Sequence, residues 1–205
     1  MAKNKKKITE SEQSKNIRFI VILILAVVVV LALYFRLTNN SKNSNQQAEE
    51  NMTEIEVLKM YDMEAQYPKA ARDVVKMHCR ILKTLYNEEL EEDEYAILND
   101  QVRCLFSNEL LEANAESEQY ADLMNDIEAF HETGKMYISY TVDAEELVQY
   151  SKVEGIEYAM VIVNCSIKEN TVTNPVKVQY LLAKENGKWK IVGWQEIITN
   201  DNTAE

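Results

Sequence analysis

The sequence predicts an α+β fold, helices first and a curved antiparallel sheet after them, behind an N-terminal transmembrane helix. Three observations predict it. Residues 19–35, FIVILILAVVVVLALYF, form an unbroken apolar run fenced by Arg18 and Arg36. From about residue 53 to residue 132, apolar side chains recur at helical spacing. At Lys135 the period drops from 3.6 to 2, and alternation continues to about residue 197. Helices followed by a meander of strands is an α+β order.

The apolar run comes first. With its flanks it covers residues 17–37, and at about 1.5 Å per residue it reaches roughly 32 Å, enough for a hydrocarbon core of about 30 Å. Arg18 and Arg36 can snorkel to the two headgroup layers, and Tyr34 and Phe35 stand where an aromatic belt would. Lys3, Lys5, Lys6, Lys7 and Lys15 precede the run, whereas Arg36 and Lys42 alone follow closely. The positive-inside rule then places 1–16 in the cytoplasm and the rest outside the cell membrane. A cleavable signal peptide is the competing reading. Against it stand the length of the run and the lack of a small-x-small cleavage site; no cysteine follows, so a lipoprotein signal does not fit.

Residues 38–51, TNNSKNSNQQAEEN, read as a flexible spacer. Residues 52–198 are the expected external domain, and 199–205 a frayed tail. The whole chain holds 22 basic and 34 acidic residues; seven and two of these lie in 1–36, which leaves 15 against 32 and a net charge of −17 outside it. So acidic a surface disfavours nucleic acid and anionic headgroups, both of which need clustered Lys and Arg.

Thr53-x-x-Glu56 is a capping-box pattern and opens a helix over roughly 53–66. Pro68 interrupts the chain. A second helix, 69–87, sets Ala71, Val74, Val75, His78, Leu82 and Leu85 on one face. The acidic run Glu88–Glu94, broken by Leu90, reads as a solvated turn, because its order lacks the D-x-D-x-D-G calcium loop. Helix three, 94–113, carries Tyr95, Leu98, Val102, Leu105 and Phe106; helix four, 117–132, carries Tyr120, Leu123, Ile127 and Phe130, and Gly134 stops it.

In the first strand Met136, Ile138, Tyr140 and Val142 alternate with Tyr137, Ser139 and Thr141. Residues 143–155 stay open between a short strand and an irregular crossing. The second strand, 156–168, sets Ala159, Val161, Val163, Cys165 and Ile167 against Tyr158, Met160, Ile162, Asn164 and Ser166. The third is 175–184. Asn186-Gly187 then signals a two-residue hairpin into a fourth strand, 189–197.

Helices leading into long strands that close with YLLAKENGKWKIVGW, residues 180–194, resemble the nuclear-transport-factor-two-like superfamily, the cystatin-like cone. The resemblance covers roughly 69–198. Behind an N-terminal anchor, the layout is similar to bitopic envelope proteins of Gram-positive bacteria and to the membrane-anchored cone subunit of type IV secretion and conjugation machines. Only the layout transfers, since no motif peculiar to those subunits is present.

Cone-fold enzymes place a carboxylate or histidine inside the cone, often with a tyrosine beside it, so the resemblance makes Tyr140, Tyr158, Asn164 and Tyr180 the candidate pocket or interface residues. No strand position expected to face inward is Asp or Glu. His78 sits mid-helix among Val74, Leu82 and Leu85 and reads as a core residue; His131 suits a helix C-terminus. His131-Glu132 has no second histidine at zinc-helix spacing. Cys79, Cys104 and Cys165 have no metal-ligand spacing. They read as small buried hydrophobes, with a Cys79–Cys104 pair left open. Eleven tyrosines suit half-buried surfaces with one wet end, interfaces among them. No residue is assigned a catalytic, cofactor-binding or metal role.

The expectation is therefore a single-pass envelope protein, not an enzyme, whose external domain binds or scaffolds another protein or self-associates. A small-ligand or sensor domain is the alternative, with a cone-fold enzyme behind it. Fold alone decides none of these.

Overall fold

The computed structural model describes residues 52–197. Residues 1–51, with the expected cytoplasmic tail, membrane span 17–37 and spacer 38–51, and residues 198–205, with the expected frayed tail, lie outside the described residues. Among the described residues no helix is long and apolar enough to cross a membrane.

Helix α1 is Glu54–Lys59, opened by the expected capping box: the Thr53 amide donates to Glu56 Oε2 at 2.7 Å and the Glu56 amide to Thr53 Oγ1 at 3.3 Å. It stops earlier than its apolar pattern suggests. The Asp62 carboxylate accepts from the amides of Glu64 and Ala65, both at 2.9 Å, and this side-chain turn competes with a further helical turn. Helix α2, Ala71–Asn87, follows Pro68 and buries Ala71, Val74, Val75, His78, Ile81 and Leu85 along one face.

Helix α3, Glu92–Cys104, begins inside the acidic run. Glu92, Asp93 and Glu94 occupy its first turn, where carboxylates suit the positive end of the helix dipole. Glu94 also accepts from the Glu91 amide at 3.1 Å and pairs with Lys59 at 3.0 Å. The run is thus a helix start more than a solvated turn. The single helix expected over 94–113 is broken. Ile191 donates its amide to the Leu105 carbonyl and accepts from the Ser107 amide, both at 2.8 Å, so a strand edge captures the chain there. Ser107 then caps helix α4, Asn108–Ala113. Helix α5, Glu116–Glu132, ends as expected before Gly134, whose φ of 63° suits only glycine well.

The sheet holds β1 Lys135–Val142, β2 Gln149–Val153, β3 Ile156–Glu169, β4 Val172–Glu185 and β5 Lys188–Glu196, all pairs antiparallel. Its order is β1-β3-β4-β5. Strands β1 and β2 lie in line along one edge of β3, separated by a short 3-10 turn, Glu145–Leu147, which resolves the open stretch 143–155. Glu154-Gly155 and Asn186-Gly187 both carry positive φ at both positions, the geometry that matches strand twist in two-residue hairpins.

The helices cover one face, called inner here. Val161, Val163, Cys165, Tyr180, Leu182 and Ile191 point into the core beneath them. Two bulges adjust what faces inward. One lies between Tyr137 and Ser139: Tyr137 pairs with Ile167 and Tyr140 with Cys165, so both tyrosines face in. Met136 and Ile138, expected inside, are 52% and 40% exposed instead. Asn87 fixes this bulge, exchanging two 2.8 Å hydrogen bonds with the Tyr137 backbone. The second bulge, opposite Leu181 and Leu182, lets both Ile191 and Trp194 face inward although they are three residues apart.

The cysteines stay free among the described residues. Cys79 and Cys165 are buried, whereas Cys104 is exposed, so the open Cys79–Cys104 pairing is not formed.

Candidate functional site

Helix α2 places His78 at the centre of the domain, fully buried. Its Nδ1 lies 3.1 Å from the Tyr180 hydroxyl, which β4 delivers from the sheet, and that hydroxyl is 3.8 Å from Cys79 Sγ. Three aromatic rings surround the imidazole: Trp194 at 5.0 Å, Tyr180 at 5.5 Å and Phe106 at 5.9 Å between centroids. Tyr180 and Trp194 stack at 6.0 Å. Burial pushes the His78 pKa down to about 3, so the ring is neutral at physiological pH. Burial, with Cys79 adding to it, raises Tyr180 well above the ordinary phenol value.

The tautomer follows from these partners. Tyr180 needs an acceptor, and a neutral imidazole nitrogen accepts better than a thiol. Nδ1 therefore accepts and Nε2 carries the proton. That Nε2 has no hydrogen-bond partner among the described residues, and neither has Asn99 Oδ1 on α3. His78 and Asn99 line one cavity of about 290 Å³ between α2, α3, α5 and Trp194. Leu82, Leu85, Val102 and Leu123 supply apolar wall, and Asp122 and Asp126, one turn apart on α5, are exposed at its rim. A second lobe of about 190 Å³ shares Leu82, Tyr86 and Trp194 and runs on between Phe130, Tyr137 and Cys165.

Helix α5 roofs both lobes. It buries Ile127 fully and Tyr120, Leu123 and Met124 partly, sets Phe130 edge-on to Tyr86 at 5.0 Å, and adds polar ties: His131 Nε2 donates to the Tyr86 carbonyl at 2.8 Å, and Arg103 donates to Gln119. His131 therefore ties two helices together besides sitting at a helix end.

The four candidate residues separate. Tyr180 lines the second lobe. Tyr140 faces the same side of the sheet but lines another groove, of about 640 Å³, with Arg72, Lys76 and Arg80. Arg72 there donates to the carbonyls of Val142 and Asp143, and Arg80 pairs with Glu54. Tyr158 and Asn164 are on the outer face, where Asn164 reaches Asp143 at 3.5 Å. The outer face also carries Val153, Ile156, Met160, Ile162 and Leu181 in a stripe along β3, and no described residue packs over it as a second layer. Asn99 and Trp194 were not singled out from the sequence. Asn99 breaks the apolar face of α3 between Leu98 and Val102, a signal that was present. Trp194 depends on the β5 bulge, whose one sequence signal is Gly193 inside the strand.

A family described as a domain of unknown function, DUF6715, matches residues 1–194. The chain belongs to that family. The DUF6715 match spans the apolar segment and the α+β domain alike. No curated protein matches the chain. Among solved structures, the chain is similar to TraH from the Gram-positive conjugative plasmid pIP501, at 18% identity and a TM-score of 0.35, over 64% of this chain and 94% of that one. It is also similar to the intermembrane space region of the chloroplast protein ARC6, at 13% identity and a TM-score of 0.34, over 68% of this chain and 98% of that one.

Proposed function

We propose that this DUF6715 protein is a single-pass envelope protein, its N-terminus in the cytoplasm and residues 17–37 in the membrane, whose external domain docks another protein rather than catalysing a reaction. In this reading the helices and the curved sheet form a cone-like module of the nuclear-transport-factor-two-like kind, held off the bilayer by residues 38–51. The apolar run and the basic residues before it support the topology.

The outer stripe carries the docking reading. A two-layer domain buries one face of its sheet and turns polar side chains outward on the other. Here Val153, Ile156, Tyr158, Met160, Ile162 and Leu181 run along the uncovered face, with Val153 at 57% and Ile156 at 45% exposure. Gln149, Ser151, Asn164, Lys177 and Gln179 border them. An apolar strip with a polar border is what a protein partner covers.

A photo-crosslinking residue at position 162 of the full chain in cells tests this. The expected result is one discrete protein adduct, absent with the crosslinker at Glu128 on α5 and lost with Leu181→Lys. The same adducts from both positions, or none from position 162, would refute it.

A further inference from the structure

We propose that the cavity between α2, α3, α5 and Trp194 is a binding site for a small neutral molecule that carries a hydroxyl or carboxamide on an apolar body. The proposal goes beyond protein docking and stands whether or not the outer face meets a partner.

Two polar atoms point to the ligand. His78 is 0% exposed and Asn99 2% exposed, yet His78 Nε2 and Asn99 Oδ1 have no partner among the described residues. Buried polar groups are nearly always paired, because an unpaired one forfeits its hydration with nothing in return. Both residues line the same space. Nδ1 accepts from Tyr180, so Nε2 offers a donor, and Asn99 Oδ1 offers an acceptor. A hydroxyl or a primary amide answers both, since each accepts and donates.

The walls define the rest of the molecule. Leu82, Leu85, Val102 and Phe106 are apolar, and Trp194 at the mouth keeps 46% of its surface exposed. Water alone would answer the polar atoms but would leave that indole uncovered, whereas an apolar body against it recovers the burial. The volume of about 290 Å³ lies at the low end of the roughly 300–1,000 Å³ typical of ligand pockets, so the molecule is small. Charge selects against anions. Asp122 and Asp126 stand at the rim, and no Lys or Arg lines the cavity to offset them. A cation would have to leave water for a neutral imidazole and an amide, which is costly.

The test uses the full chain in detergent with Trp189→Phe, which leaves Trp194 as its single tryptophan. Benzamide is the probe, with benzoate as its anionic counterpart and toluene as its purely apolar one. Trp194 emission is expected to change saturably with benzamide, and benzoate to bind at least about tenfold more weakly. Asn99→Leu should weaken benzamide by about tenfold, the loss of one hydrogen bond, and leave toluene unchanged. Leu123→Phe narrows the space from the partly exposed roof helix, adds no second tryptophan, and should weaken benzamide and toluene together without touching His78 or Asn99. Near-ultraviolet circular dichroism checks that each variant is folded. Ile162→Glu, on the outer face, should change nothing here, which separates this site from the docking surface. The proposal is overturned if benzamide gives no saturable change, as for a cavity holding water only. It is equally overturned if benzoate matches benzamide, or if folded Asn99→Leu or Leu123→Phe protein binds benzamide as before.

Discussion

Burying His78 without a charge partner makes the domain acid-sensitive well above the pH at which carboxylates protonate. The ring titrates at its ordinary value of 6.5 in the unfolded chain and at about 3 in the folded one. Between those values the unfolded state holds a proton that the folded state lacks. Stability is therefore complete above pH 6.5, falls as the pH drops toward 3, and levels off below. At pH 5 the unfolded ring is almost wholly protonated and the folded ring almost wholly neutral, so the loss relative to pH 7 is about 2 kcal/mol, and each further pH unit removes about 1.4 kcal/mol more. His78→Leu keeps an apolar side chain in the site and removes the titration. The assay is urea unfolding of a fragment covering residues 52–205 at pH 7 and pH 5, for both proteins. Other groups titrate alike in the two. Glu94, lowered by its bond to the Glu91 amide and then by Lys59, and Glu157, lowered by Lys184, lose their contribution mainly below the usual carboxylate range. Wild type should lose about 2 kcal/mol more than His78→Leu between the two pH values. Equal losses would refute the account of a neutral, unpaired imidazole in the core.

The neighbouring hydroxyl gives a second expectation: Tyr180→Phe strands Nδ1 of His78 and should cost about 1–3 kcal/mol in the same urea experiment at pH 7. Gly187→Ala forces an L side chain to a φ of 80° and should cost about 1–2 kcal/mol, whereas Gly193→Ala, with open space at its Cβ, should cost little. Thermal unfolding compares the two directly. The proposed topology predicts that a membrane-impermeant maleimide labels exposed Cys104 in intact cells; labelling only after lysis would reverse the orientation. Leu181→Lys should keep the wild-type unfolding midpoint and lose the adduct formed from position 162, because its side chain faces away from the core.

Periodicity carried most of the fold. Strands β3, β4 and β5 fall close to where alternation puts them, because each has one face buried and one open, and burial enforces the period. What escaped depends on contacts between elements distant in sequence. The break at Leu105–Ser107 is made by Ile191, more than eighty residues away, and Leu105, Phe106 and Leu110 still fit a helical stripe. The Tyr137 bulge is fixed by Asn87 across the helix–sheet interface, so strict alternation put Met136 and Ile138 inside. The candidate site was half legible. Tyr180 was singled out and lines the second lobe, but its partner His78 reads as core by helical position. The atom that makes His78 chemically distinct is an unpaired nitrogen, visible only once Asn99 and α5 are placed around it.

The cleft itself is a product of the two bulges. In a regular β1 the side chains flanking Tyr137 would face in and its phenol would face out. In a regular β5, Ile191 on the inner face would bring Gly193 in behind it and send Trp194 outward. Each bulge adds one residue and so reverses the faces beyond it, turning an aromatic ring under α5 and leaving a residue with little or exposed bulk on the outer side. Trp194 and Tyr137 are among the rings that bound the two lobes. They are also wider than the branched aliphatics used elsewhere on the inner face. Above them α5 buries Ile127 fully and packs Tyr120, Leu123 and Met124 partly against the core. Two polar ties, Arg103 to Gln119 and His131 to Tyr86, join its two ends to the other helices, with the Tyr86–Phe130 ring contact beside the second. The same two backbone irregularities that disturb the sheet thus bring Tyr137 and Trp194 to the cavity walls.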